Sequence, residues 1–367
     1  MNNLNLGFIG LGLIGGSLAK TFKRIYPDCI ITAFDTNTTS LAKAFEDNIV
    51  DTTVSAVDEH FSKCNYIFLC TPVEFNAQYL SALKEIISSD CIITDVGSVK
   101  THIHNTVKEL SLEHAFIGGH PMAGSEKSGY ENSTDQLLVN AYYAITPTDK
   151  ISNDKLDTFV ALIKSIECIP LVLDCKKHDF SVAGISHLPH IIASSLVNCV
   201  KDNDYEDETM KLLAAGGFKD ITRIASSSPI MWQQICTTNS EAISQILNNY
   251  IDSLMQIKND IDSKNANNLT EMFDSSKNYR DSINTTTKGL IQKSYAVYCD
   301  IIDEEGAIAT IATILAINHI SIKNIGIIHN REYEEGVLKI EFYDDEAVHK
   351  TVALLDKHRY TVHNVIA

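Results

Sequence analysis

A chain of 367 residues, 44% of them hydrophobic, exceeds what one core usually serves, so two or three domains are expected. The formal net charge of −17 argues against nucleic-acid or anionic-membrane binding, because both need a dense basic surface to displace counterions. No stretch approaches the roughly 20 uninterrupted apolar residues of a membrane span, no signal peptide is evident, and the nine cysteines stand singly without a C-x-x-C pair. A soluble cytoplasmic protein with reduced cysteines and no metal is the expectation.

In chain order, short apolar runs at residues 6–9, 30–34, 66–70, 91–96, 115–118 and 142–146 alternate with helix-length segments. Such β-branched and aromatic runs predict a mostly parallel α/β sheet covered on both faces, of the Rossmann type. From about residue 178 the pattern becomes helical. Ile243, Ile246, Leu247, Tyr250, Ile251, Leu254, Ile257 and Ile261 recur at the spacing of one helix face within residues 235–261. A polar region, residues 263–294, reads partly as a linker. The last seventy or so residues read strand (295–302), helix (306–318), strand (320–329), strand (337–343), helix (346–358), strand (360–366), the βαββαβ ferredoxin-like order. The expected domains are residues 1–175 (Rossmann), 176–285 (all-α) and 294–367 (α+β).

Gly10-Leu-Gly12-Leu13-Ile14-Gly15 follows the first apolar run and precedes a helix-forming segment, the context that gives G-x-G-x-x-G meaning. Gly10 permits the tight turn, Gly12 lets a pyrophosphate approach the backbone, and Gly15 lets helix pack on strand. The phosphates then meet a helix N-terminus. Asp35 closes the second strand, where a carboxylate can accept the ribose hydroxyls, and no arginine follows to neutralise a 2′-phosphate, so NAD is favoured over NADP. Thr71-Pro72 ends the third run and either lies beside the cofactor or simply starts a loop.

A dehydrogenase needs a group to receive the hydroxyl proton, and imidazole suits this near neutral pH. His120, in Gly118-Gly-His-Pro-Met-Ala-Gly124, is expected on a loop after a strand, as a catalytic or a structural residue. Ser98, in Asp95-Val-Gly-Ser-Val-Lys100, can face the same crevice. His187-Leu-Pro-His190 invites a metal reading, but Pro189 disturbs the helical spacing and no third ligand is evident, so a satisfied histidine or a substrate contact is preferred to zinc. Arg223 can clamp a carboxylate or pair with Asp220. Trp232 is by default core.

These blocks, with Gly216-Gly-Phe-Lys-Asp-Ile-Thr-Arg223 and Pro229-Ile-Met-Trp232, occur in one order across residues 6–232 and resemble the prephenate dehydrogenases of tyrosine biosynthesis, with a C-terminal unit similar to an ACT regulatory domain. The resemblance implies oxidation of the ring carbinol of prephenate by hydride transfer to NAD, with loss of carbon dioxide, giving 4-hydroxyphenylpyruvate. It implies that His120 deprotonates the ring hydroxyl with Ser98 positioning it, that Arg223 and His190 hold carboxylates, and that Ser125 and Glu126 line the pocket. It further implies a homodimer formed through the helical domain, with Trp232 entering the neighbouring subunit's site. An ACT domain implies an amino-acid effector, expected to be tyrosine, at a loop containing Asp303 and Gly306 that faces Asn324. Arogenate dehydrogenase remains an alternative within the same chemistry. A β-hydroxyacid dehydrogenase leaves the His187 and Arg223 segments unexplained, and a catalytically silent amino-acid sensor is opposed by intact His120, Ser98 and Arg223.

Overall fold

The computed structural model describes residues 4–124, 127–283, 295–301, 306–328 and 337–363. The chain divides into two units, Met1–Ser282 and Ile283–Ala367. In the first, strands β1 (Asn5–Ile9), β2 (Ile30–Phe34), β3 (Thr52–Val54), β4 (Tyr66–Leu69), β5 (Ile92–Asp95), β6 (Phe116–Pro121), β7 (Tyr142–Pro147) and β8 (Ile169–Val172) form one sheet, ordered β3-β2-β1-β4-β5-β6-β7-β8. All neighbours are parallel except β6 and β7.

Side chains alternate across the strands, so each strand feeds two cores. Phe8, Tyr66 and Phe68 pack with α1 (Leu13–Ile25), α2 (Thr38–Glu46) and later α5 (Asn153–Ser165); Ile9, Ile67, Leu69 and Ile93 pack with α3 (Asn76–Lys84) and α4 (Thr101–Glu109). Phe8 and Phe68 stack across β1 and β4, with ring centroids 5.1 Å apart. Covering both faces explains why these strands read as continuous apolar runs.

Three sequence expectations change here. Strands β3 and β8 are additional, and both lie at sheet edges where the apolar signal is short. The fifth apolar run extends further than residue 118: β6 continues through His120 to Pro121, because antiparallel pairing with β7 holds it, with His120 opposite Ala144. His120 is therefore a strand residue, not a loop residue.

Beyond the sheet, α6 (Cys175–Val182), a π-helical turn (Ala183–His187) and α7 (Leu188–Asp202) make one helical run. It is followed by α8 (Thr209–Leu213), α9 (Gly216–Thr222), a 3-10 turn (Arg223–Ser226), α10 (Pro229–Thr238), α11 (Ser240–Asp262) and α12 (Ala266–Ser282). The run Cys175–Asp202 has a mean hydropathy of 1.4 in its most apolar 18-residue window, of which only 28% is buried. Ile185, Leu212, Leu213, Ile230, Leu254 and Met255 are likewise exposed in the single chain. The predicted face, Ile243 through Ile261, lies as expected on one helix, α11, while residues 235–238 before it end α10. The polar region after residue 263 is not a linker in its first half but the 17-residue α12, where Leu269 and Met272 share a groove with Ile257 of α11. Residues 284–294 lie outside the described part.

The second unit contains β9 (Tyr295–Asp300), α13 (Ala307–Ile317), β10 (Asn324–Ile328), β11 (Val337–Phe342), α14 (Asp345–Lys357) and β12 (Val362–His363). The strands form an antiparallel sheet, ordered β10-β11-β9-β12, around Val297, Cys299, Ile311, Leu315, Leu338, Ile340 and Leu355. The βαββαβ order is as expected, with β10 starting later than residue 320.

Candidate active site

The carboxyl ends of β1, β4, β5 and β6 lie side by side, and each carries one of the motifs. Register pairs Ile9 with Leu69, Leu69 with Asp95, and Thr94 with Ile117, so the glycine turn, Thr71-Pro72, the Asp95–Lys100 segment and His120 succeed one another along one sheet edge. Ligands of open α/β sheets bind at such an edge.

The glycine turn fits a dinucleotide. Gly10 has φ +97°, and a Cβ there would lie 2.7 Å from the Cys70 carbonyl oxygen. A Cβ on Gly15 would lie 2.3 Å from the Gly10 oxygen, whereas one on Gly12 would meet no protein atom within 4 Å. The backbone is thus bare at Gly12, where a pyrophosphate would approach. Leu13 and Ile14 open α1, whose first turn carries no acidic residue and no side-chain cap, leaving its N–H groups and positive dipole end for an anion. Asp35 accepts the Leu11 N–H at 2.6 Å and the Asn37 N–H at 2.7 Å, so the carboxylate that suits a ribose also ties β2 to the glycine turn. The Thr71 hydroxyl donates to the buried Asn76 side-chain carbonyl at 3.0 Å, and its methyl group borders Gly10.

At the other end of the edge, a buried ion pair fixes the strand that carries His120. Lys100, fully buried, pairs with Asp95 and donates to the Gly119 carbonyl at 2.6 Å, while Asp95 accepts the Gly119 N–H at 3.2 Å and the Gly97 N–H at 2.9 Å. Both polar groups of the Gly119 residue are therefore clamped. Ser98 sits half-buried in the turn between these two charged residues.

His120 Nδ1 lies 2.9 Å from His178 Nε2, and His178 Nδ1 lies 2.8 Å from Asp179 Oδ1. Burial, aided by the neighbouring His178, Lys100 and His187, holds the His120 pKa well below that of free imidazole, against the opposing pull of Asp179. Burial would raise the Asp179 pKa, but hydrogen bonds from His178, Thr101 and Lys100 outweigh it and keep the group ionised. His178, Asp179 and Asn239, which meet His120 and His187 here, lie outside the motifs, and Lys100 closes one of them without a reading of its own. The only sequence signal is a His-Asp pair at the start of an apolar helix.

A second cluster lies further along the same helical run. The His190 and Trp232 rings stack at 3.7 Å between centroids, with His187 edge-on to Trp232 at 6.0 Å. The Asn239 amide donates to the Asp179 carbonyl at 2.9 Å and to His187 Nδ1 at 3.2 Å, which puts the His187 proton on Nε2. That Nε2–H and the Trp232 indole N–H are buried donors without a hydrogen-bond partner among the described residues. Burial pushes the His187 pKa down to about 4. His190 donates through Nδ1 to the Ser186 carbonyl at 3.0 Å, so its neutral form offers a lone pair at Nε2. Pro189 falls in the first turn of α7, after the π turn, where its missing N–H is tolerated. Arg223 is exposed at the C-cap of α9, and its 3-10 turn packs on α7, the helix bearing His190. Trp232 is neither core nor isolated: it stacks within its own chain. Ser125 and Glu126 lie outside the described residues.

Two family models match the chain in succession. The model described as "Prephenate dehydrogenase, nucleotide-binding domain" matches residues 18–168, and "Prephenate dehydrogenase, dimerization domain" matches residues 174–275. The prephenate dehydrogenase of Bacillus subtilis (strain 168) is 36% identical over 342 residues, covering 92% of this chain and 91% of its own. The chain belongs to the prephenate dehydrogenase family. Among solved structures it resembles prephenate dehydrogenase from A. aeolicus in complex with hydroxyphenyl propionate and NAD+, at 31% identity and a TM-score of 0.73, covering 77% of this chain and 99% of that one. Synechocystis arogenate dehydrogenase is similar at 29% identity and a TM-score of 0.68, covering 76% and 99%. The chain is an NAD-dependent oxidoreductase of prephenate, with a Rossmann-like nucleotide-binding domain followed by a helical dimerisation domain. The latter description gives the exposed apolar surface of α6 through α11 its reason, since large apolar patches on a single chain mark association surfaces.

Proposed function

We propose that His120 is the base that takes the proton from the prephenate ring hydroxyl. The observation that carries this reading is an imidazole kept neutral at the ligand-binding edge of the sheet, on the third strand along from the one that feeds the glycine turn. NAD, when bound, supplies the hydride acceptor; Gly10, Gly12, Leu13, Ile14, Gly15, Asp35, Thr71 and Pro72 hold it. Loss of carbon dioxide aromatises the ring, so the protein has chiefly to orient the substrate and withdraw one proton at Nε2 of His120. Ser98, on the neighbouring turn, positions the hydroxyl.

Arg223 and His190 hold the substrate's carboxylates. A neutral His190 cannot donate from Nε2 to an anion, so it takes up a proton as the carboxylate arrives. In the dimer Trp232 borders the neighbouring site. Prephenate, with its keto side chain, is preferred to arogenate.

The chain is organised as residues 1–175, 176–285 and 294–367, in the cytoplasm, and the last domain is an ACT-type regulator that binds tyrosine. Its support is the βαββαβ order and the left-handed Gly306 (φ +91°) that starts α13. Asn324 opens β10 and donates to Glu341 at 3.3 Å, while Asp303 lies outside the described residues.

Following NADH absorbance with prephenate and arogenate, each with NAD and NADP, tests substrate and cofactor together. Activity with arogenate alone would overturn the preference. His120→Asn is expected to lower kcat by at least about 10²-fold with NAD affinity intact; a variant that keeps most of its turnover removes His120 from the mechanism. Titrating tyrosine against prephenate turnover tests the regulatory reading, and an unchanged rate at saturating tyrosine would refute it.

A further inference from the structure

Asp179 is ionised and accepts from every partner it has. Its Oδ2 takes the Thr101 N–H at 2.7 Å, and its Oδ1 takes the Lys100 N–H at 2.8 Å and His178 Nδ1 at 2.8 Å. A carboxylate cannot donate, so the proton of that last bond belongs to His178 Nδ1. In neutral His178, Nε2 then carries a lone pair. His120 Nδ1 stands 2.9 Å from it and must supply the hydrogen. The proton on Nδ1 leaves His120 Nε2 unprotonated.

From this chain of bonds we propose that His178, backed by Asp179, is a positioning residue that holds His120 as its Nδ1–H tautomer, leaving Nε2 as the proton-accepting atom. The inference rests on the reading of His120 as the base and extends it to what makes that imidazole competent. The opposite polarity, with His178 donating through Nε2, would put the proton of neutral His120 on Nε2 and abolish its basicity there. The proton transfer itself balances simply. The substrate O–H bond breaks, its electron pair stays with carbon and oxygen as the carbonyl forms and hydride leaves to NAD, and the proton goes to Nε2. The resulting imidazolium keeps donating through Nδ1, with the Asp179 charge one ring further on.

The rigidity of the chain is built into the fold. His178 and Asp179 are 1% and 3% exposed, and Asp179 holds the first N–H groups of α4 to α6. Asn239 adds a bond to the Asp179 backbone carbonyl from the far side.

The test compares His178→Leu with His178→Gln in the full-length enzyme, beside His120→Asn. Leucine gives His120 Nδ1 no acceptor; the glutamine carbonyl can restore one. His178→Leu is expected to lower kcat by about 10²-fold, with KM for prephenate and NAD affinity changed less than about twofold, and His178→Gln to recover at least about tenfold of that loss. Wild-type turnover in folded His178→Leu, or no recovery in folded His178→Gln, would overturn the inference. Activity surviving in His120→Asn would instead overturn the base assignment beneath it. A third measurement needs no stable His178 variant: 15N shifts of labelled histidine in the wild-type NAD complex, with the His120 signal assigned from its absence in His120→Asn. Protonated Nδ1 and bare Nε2 on His120 support the proposal, and the reverse pattern refutes it.

Discussion

Replacing Lys100 by methionine isolates what the buried ion pair contributes to the His120 strand. The stem keeps roughly its volume, so little cavity forms; what disappears is the partner of the Asp95 carboxylate, 1% exposed, and the donor to the Gly119 carbonyl at 2.6 Å. Breaking one side of a buried pair costs about 3–5 kcal/mol, and an unpaired buried carbonyl about 1–3 kcal/mol more. Asp95 retains the Gly97 and Gly119 N–H groups and can take up a proton, which limits the sum to about 4 kcal/mol. Against a total stability of about 5–15 kcal/mol this is a large fraction. Urea unfolding of the cofactor-free protein measures it as a lower midpoint at constant slope. Adding Asp95→Asn to Lys100→Met removes the stranded charge and is expected to recover at least about half of the loss. A single variant destabilised by less than about 1 kcal/mol, or a double variant worse than the single, would refute the argument that charge pairing holds this peptide.

Other expectations come from the same geometry. Gly12→Ala adds a methyl that meets no protein atom, so isothermal titration is expected to show NAD affinity weakened by about tenfold or more at an unchanged melting temperature, whereas Gly15→Ala, 2.3 Å from the Gly10 oxygen, destabilises the fold by about 1–3 kcal/mol. Arg223→Ala is expected to raise KM for prephenate by at least about tenfold, with a smaller effect on kcat, in steady-state assays. His187, pushed down to about 4 by burial, binds its proton in the unfolded chain near pH 6.5 but in the folded one only near 4. The unfolded state therefore holds the extra proton between those values, and denaturation midpoints are expected to fall as pH drops through that window. Burial holds the pKa of free His190 below that of ordinary imidazole, so if it takes up a proton with the substrate KM for prephenate rises with pH above that lowered point, and a flat KM across about pH 5–9 would count against it.

The cofactor half of the site was legible because each of its requirements is local. A turn, a bare backbone and a helix start must be adjacent in sequence, so Gly10, Gly12 and Gly15 declare them within one short segment. Asp35 was found for the same reason, at the end of the next strand, although its bond to Leu11 was not. The proton-handling half depends on contacts between distant segments. Asp95 and Lys100 were only the ends of the segment that carries Ser98, and the approach of β6 makes them the clamp on Gly119. His178 marked only where the helical pattern begins, and the packing of α6 against α4 that buries it is a contact between distant segments. Likewise α12 looked like a linker because its surface is polar nearly all round, and its contact with α11 is a narrow stripe that composition hides.

The π turn at Ala183–His187 gives the long helix a further meaning. Each residue advances an α-helix by about 100°, so the wider turn resets the angular phase between the segment before it and the segment after it. Upstream, His178 and Asp179 address the strand that bears His120; downstream, His190 addresses Trp232. The helix works as a keyed shaft, with the π turn as the key that sets the angle between two working faces.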